Sequence, residues 1–199
     1  MNRLPQLVLS SLLSFACFPA LAQHAATDAP PAPAAPAEAK QFDFLLGQWD
    51  LQVHPKVSSL AAMIHGAPKL VGTLKAWRVS SGLGVEDELR IVDASGNPIS
   101  LNHAARVYAP ADARWNISGV DTLRGRKSES SGRWQNGEMR LEGRTTDAEG
   151  NPTVTRTRYF DITADSFRMQ QDRSSDNGQT WDEGVLTIEA KRTAATATP

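Results

Sequence analysis

The chain has 199 residues, a single cysteine and a formal net charge of -1, from 21 Lys and Arg against 22 Asp and Glu. The arginines are spread along the chain, so there is no basic footprint for nucleic acid or an anionic membrane. One cysteine also excludes an internal disulfide framework and a cysteine-rich metal site.

In chain order, residues 1–22 read as a signal peptide. Arg3 supplies the positive start and residues 7–20 form a short apolar run. Ala20, Leu21 and Ala22 make a small-residue cleavage site. The run is too short for a spanning helix of about 20 residues. The expectation is a periplasmic or secreted protein with no stable membrane insertion after cleavage. Cys17 leaves with the peptide, so the mature chain has no thiol. Residues 23–39 are rich in Ala and Pro and cannot bury enough surface to order themselves. They read as a disordered linker. Residues 40–192 have ordinary globular composition and the length of one domain. Residues 193–199 are a second coreless tail.

Turn signals punctuate the domain. "DASGNP" (93–98) and "DAEGNP" (147–152) are near copies, each with a Gly and an Asn that accept positive φ. Asn136-Gly137 is a two-residue hairpin signal. Residues 109–114, 163–165 and 176–179 are further turns. Between turns the patterning has period 2. Met139 and Leu141 alternate with Arg140 and Glu142; Trp115 and Ile117 with Asn116 and Ser118; Phe167 and Met169 with Arg168 and Gln170. The total is about eight to ten strands, with one or two short helices in residues 39–46 and 58–65. An antiparallel meander of this size removes its edges by closing. The predicted fold is an all-β, up-and-down barrel, with a two-sheet sandwich as the alternative.

Three motifs carry a resemblance. "FDFLLGQWDL" (42–51) contains Phe42, Asp43, Phe44, Gly47, Trp49 and Asp50. Tyr108, Pro110 and Trp115 follow in mid-chain. Asp176, Gly178, Thr180 and Trp181 precede the last strand. Together they resemble a bacterial family of exported, lipocalin-like domains of largely unassigned function. The resemblance spans nearly all of residues 41–192. It implies a calycin-type barrel and no particular activity. In such barrels the Gly-x-Trp of the first strand plugs one end. Gly47 would then allow a tight backbone turn, and Trp49 would cover the floor above Phe42, Phe44 and Leu45.

"SSDNGQTW" (174–181) also has the Asp-box pattern of sialidases. Glycosidase chemistry needs a pair of carboxylates or a Tyr nucleophile with an arginine cluster. One copy, in a chain too short for a propeller, reads as a hairpin turn. The histidines His24, His54, His65 and His103 lack paired metal-ligand spacing, and no nucleophile elbow, P-loop or dinucleotide fingerprint is present. No catalytic residue, metal or cofactor is assigned. In "VEDEL", Glu86 and Glu88 share one face, and Asp87 shares the other with Leu89 and Ile91. An inward carboxylate here is the best candidate for a functional polar group. The strand 153–160 sets Arg156 and Arg158 against Thr155, Thr157 and Tyr159, with either face a candidate interior. The leading reading is a module that binds a small, partly apolar molecule among Trp77, Glu88, Leu89, Trp115, Trp134, Tyr159 and Phe167. Two alternatives stand beside it. One is a hydrolase or isomerase with Glu86 or Glu88 as base; the other is a solid barrel serving as an interaction module.

Overall fold

The alternation of apolar and polar residues becomes strands wherever a turn signal frees both ends. A computed structural model describes residues 34–193, except 60–62, 64, 65, 67, 80 and 148. The chain divides into residues 1–33 and 34–199, and every described residue belongs to the second unit. The expected signal peptide with Cys17, the expected linker up to residue 33, the tail from 194 and most of the helix expected at 58–65 lie outside the described residues.

The strands are β1 Gly47–Pro55, β2 Leu70–Arg78, β3 Gly84–Val92, β4 Pro98–Ala109, β5 Arg114–Asp121, β6 Arg126–Gln135, β7 Glu138–Thr146, β8 Pro152–Phe160, β9 Ser166–Ser174 and β10 Asp182–Arg192. Each pairs antiparallel with its chain neighbours, and β10 pairs with β1 from Trp49↔Arg192 to Pro55↔Leu186. The result is a closed, ten-stranded, up-and-down barrel of lipocalin-like kind, not a sandwich. Closure leaves no strand edge unpaired. The helical expectation at 39–46 resolves into two 3-10 turns, Ala37–Lys40 and Asp43–Leu45. Ala39, at the end of the Ala/Pro-rich stretch, is fully buried.

One end of the barrel is stoppered by the approach to β1. Phe42, Leu45 and Trp49 are fully buried. Gly47 turns the chain into β1 with φ of 104°, a left-handed value that disfavours a side chain. The Trp49 ring is then fully buried in the floor. Its Nε1 donates to Leu45 O at 2.7 Å. Phe167 meets its ring edge-to-face at 4.9 Å between centroids, and the Arg192 guanidinium lies 4.1 Å from the ring centre. Arg192 also donates to Leu46 O and Ala164 O, both at 2.8 Å. Asp43, the second residue of the opening motif, forms an ion pair with Arg78. Arg78 in turn donates to Ala39 O and Gly82 O.

The opposite end carries the turns fixed by aspartates. Asp93 Oδ1 accepts from Ser95 N and Asn97 N, and Oδ2 from Asn97 Nδ2. Asp147 repeats this with Glu149 N, Asn151 N and Asn151 Nδ2, so the two near-copy sequences make the same turn. In "SSDNGQTW", Asp176 accepts from Thr180 Oγ1 at 2.6 Å, Thr180 N at 2.9 Å and Ser174 Oγ at 2.7 Å. Asn177 and Gly178 take positive φ, and Trp181 Nε1 donates to Gly178 O. The motif is the β9–β10 hairpin.

The Thr180 hydroxyl and amide, then the Ser174 hydroxyl, hold the Asp176 carboxyl down at about 2, against an ordinary 3.8. A depressed folded-state value stabilises the fold above the ordinary value and loses that support as pH falls through the lower one. Asp176→Asn should therefore flatten the fall in stability between pH 3.8 and about 2. Urea midpoints measured across that range check it; identical slopes in both proteins would refute it. Trp49→Ala should cost about 3–5 kcal/mol, the range for emptying a buried aromatic site. Chemical denaturation followed by far-UV circular dichroism measures it, and a loss under about 1 kcal/mol would show that Trp49 is not what closes the floor.

Candidate functional site

Above the floor the barrel is not filled. Beside Ile117, β5 and β6 turn three small residues towards this interior, Gly119, Ser128 and Ser130. Facing them are the larger Leu51, Leu74, Leu89, Met169 and Ile188. A cavity of about 190 Å³ lies between, bounded towards the floor by Leu45, Tyr159 and Phe167. Asn102, Ser128, Ser130, Thr157 and Gln171 give its wall a polar arc on the side away from the plug. Gln171 Nε2 donates to Thr157 Oγ1 at 3.3 Å.

Two charged side chains enter this interior. The β2–β3 register opposes Ala76 to Asp87 and Leu74 to Leu89, so Asp87 faces inward, 2% exposed. On β4, Arg106 shares the face of the buried Ala104 and Tyr108 and so also faces inward. Asp87 is opposite Ala104 and Arg106 opposite Val85, so the two are diagonal neighbours. A long side chain spans that diagonal, and Arg106 Nη1 pairs with Asp87 Oδ2. The guanidinium also sits 5.4 Å from the Phe42 ring centre. Arg106 Nε is buried without a hydrogen-bond partner. The pair therefore joins the cavity wall to the plug.

The placement of the expected site residues follows from register. Leu89, Tyr159 and Phe167 line the cavity. Trp115 is fully buried but belongs to the plug: its ring meets Phe42 at 4.8 Å and its Nε1 donates to Gln41 Oε1. Trp134 packs on Phe44, 6.4 Å away, and does not reach the cavity. Trp77 and Glu88 are on the outer face. Trp77 stands opposite Glu86, whose Oε2 accepts from Trp77 Nε1 at 3.2 Å. Glu88 lies 3.8 Å from the exposed His103. Both are one residue out of phase with the interior. A one-residue offset reverses the face, which is why Asp87, not Glu88, is the inward acid. On β8 the inward face is Thr155, Thr157 and Tyr159, and Arg156 and Arg158 point outward. Among the described residues no three His, Cys, Asp or Glu side chains converge as metal ligands.

Arg106 was the residue that sequence patterning did not single out. Its signal was its spacing: Ala104, Arg106 and Tyr108 share one face of a strand whose outward residues are His103, Ala105 and Val107. An arginine amid small and aromatic residues on one face is an inward charge waiting for a partner. Nothing local says whether that face is the interior.

Fold and cavity together define a lipocalin-like β-barrel with a partly polar interior chamber. No protein-family model and no curated protein matches the chain. Among solved structures, EF1p2_mFAP2b bound to DFHBI is similar over 79% of this chain and 100% of its own, with 11% identity and a TM-score of 0.39. That likeness is too distant to bear on function.

Buried ion pairs cost much of their attraction in desolvation, and breaking one partner leaves an uncompensated charge. Asp87→Leu or Arg106→Leu alone should each destabilise by about 3–5 kcal/mol, and the double variant should recover most of that loss. Denaturation of all four proteins in a double-mutant cycle measures the coupling. Additive losses would mean the two side chains do not act as a pair.

Proposed function

We propose that this protein is an exported lipocalin-like domain of the bacterial family its motifs resemble, and that it binds a small, partly apolar molecule inside the barrel. The carrying observation is the Asp87–Arg106 pair on the wall of a cavity bounded partly by Leu, Ile, Met and Phe and partly by an arc of uncharged polar side chains. An apolar pair of similar volume is often as stable or more so. A charged pair beside an empty chamber, with one donor left without a partner, suits recognition of a polar group on an otherwise apolar guest. The volume sets the size. A cavity of about 150 Å³ admits benzene, so about 190 Å³ suits a compact, ring-sized molecule with one polar substituent.

Export is proposed on the apolar run and cleavage site of residues 1–22. The enzymatic reading narrows: Glu86 and Glu88 face outward, so neither is a base within this cavity, and Asp87 is engaged by Arg106. The solid-barrel reading fits less well, because the small inward residues of β5 and β6 leave space that larger ones would fill.

Native mass spectrometry of the protein purified from its own host should show a bound small molecule. Ser130→Leu places an isobutyl group in the chamber and should abolish that adduct while the thermal midpoint stays close to wild type, since the space is already empty. A wild-type protein that is always ligand-free, or an adduct retained by Ser130→Leu, would overturn interior binding.

A further inference from the structure

The outer face of β5–β8 holds a row of arginines that the interior does not explain. Register places Arg133 opposite Arg140, and Arg140 opposite Arg158. Arg114 lies one step beyond the Trp115↔Gly132 pair, beside Arg133. Four guanidinium groups thus stand in one rung across four adjacent strands. With strands about 4.8 Å apart, the rung is about 14 Å long. Like charges directly opposite destabilise a sheet. Among the described residues only Glu138 forms ion pairs with this rung, at 3.0 Å from Arg140 and 3.6 Å from Arg158. Arg133 is braced by the backbone oxygens of Ala113 and Asp112, not by an acid. Arg114 Nε is buried with no hydrogen-bond partner. The neighbouring rung is different: Arg156 is matched by Asp172 at 3.1 Å and Glu183 at 3.9 Å.

These residues wall a concave groove of about 1100 Å³. From this arrangement we infer that the outer face of β5–β8 is a docking surface for an acidic polysaccharide, with sugar carboxylates seated on the Arg114–Arg133–Arg140–Arg158 rung. Guanidinium groups match carboxylates geometrically and stay charged. On the next rung Asn116 and Ser131, opposite one another, offer hydrogen-bonding groups suited to sugar hydroxyls. The groove has no aromatic platform on which bases would stack, since the Trp181 ring is covered by Arg156 at 3.8 Å. It has no exposed apolar wedge to enter a lipid surface. Glu129 and Glu142, interleaved among the arginines, repel a densely charged phosphate polymer. They tolerate a chain with one carboxylate per sugar ring. The inference is independent of any interior ligand.

Affinity electrophoresis of the full chain through gels containing alginate, a polyuronate, tests it, with neutral dextran gels as reference. Alginate should retard the protein, dextran should not, and added salt should weaken the effect. Arg140→Gln/Arg158→Gln should weaken binding about tenfold, the scale of one or two charge-assisted contacts. Lys75→Gln/Arg90→Gln, on the outer face of β2 and β3, should bind as wild type. Arg133→Gln alone gives a second, milder reading of the same rung. The Arg140/Arg158 variant also strips both cations from Glu138, so a modest fall in its thermal midpoint is expected; Arg133→Gln leaves Glu138 paired and should keep the wild-type midpoint. No retardation by alginate overturns the inference. So does equal weakening in the Lys75/Arg90 control, or tighter binding to single-stranded DNA or phosphatidylglycerol vesicles than to alginate.

Discussion

The seating of Trp49 is the constraint on which the rest of the barrel depends. Its indole contacts both Phe167 and Arg192, and its nitrogen is tied to Leu45 O. This contact joins the first strand to the last, because Trp49 and Arg192 are register partners at the β1–β10 seam. It also joins both to the entering chain through Leu46 O and to the β8–β9 turn through Ala164 O. A barrel is slow to close because its seam pairs the two ends of the chain. A large aromatic ring, stacked by a cation and fully removed from water, concentrates burial at the point where that long-range pairing must be secured.

With one end stoppered by Phe42, Leu45, Trp49 and Trp115, the inward residues of the middle strands are free to be small. Gly119, Ser128 and Ser130 face a wall of Leu and Ile, and the mismatch of volumes is the cavity. The ion pair sits where the two regions meet. Arg106 touches the plug through Phe42 and the chamber through Asp87. A change in what the chamber holds would thus be felt by the same side chain that packs beneath it. The aspartate-fixed turns do the complementary work at the other end. They hold the strand ends by hydrogen bonds to backbone N–H groups.

The outer surface divides along the same strands. On β8, one face gives Thr157 and Tyr159 to the chamber and the other gives Arg156 and Arg158 to solvent. Pleating makes the two assignments inseparable. A strand that lines a polar-walled cavity therefore has its charged residues available outside, and β5–β8 set four of theirs in a single rung.

Much of this was legible in residue order. Period-2 runs, the Asn136-Gly137 hairpin, the twin "D-x-x-G-N-P" turns and the Gly47-x-Trp49 opening dictate local geometry through φ preferences and side-chain alternation, and all are short-range. They specified strands, turns and an antiparallel meander, and the Asp176 motif as a hairpin. They also showed that Asp87 and Glu88 must lie on opposite faces. What they left open was which face is inside, because parity is relative until a neighbouring strand fixes it. That decision belongs to the register of β2, β3 and β4, which turned Asp87 and Arg106 inward and sent Trp77 and Glu88 out. Likewise the arginine rung exists only because three strands, joined by turns of different length, bring Arg133, Arg140 and Arg158 level. Sequence by itself determined the elements and their alternation. Only the closed sheet, by setting residues distant in the chain opposite one another, decided the cavity, the buried pair and the charged row.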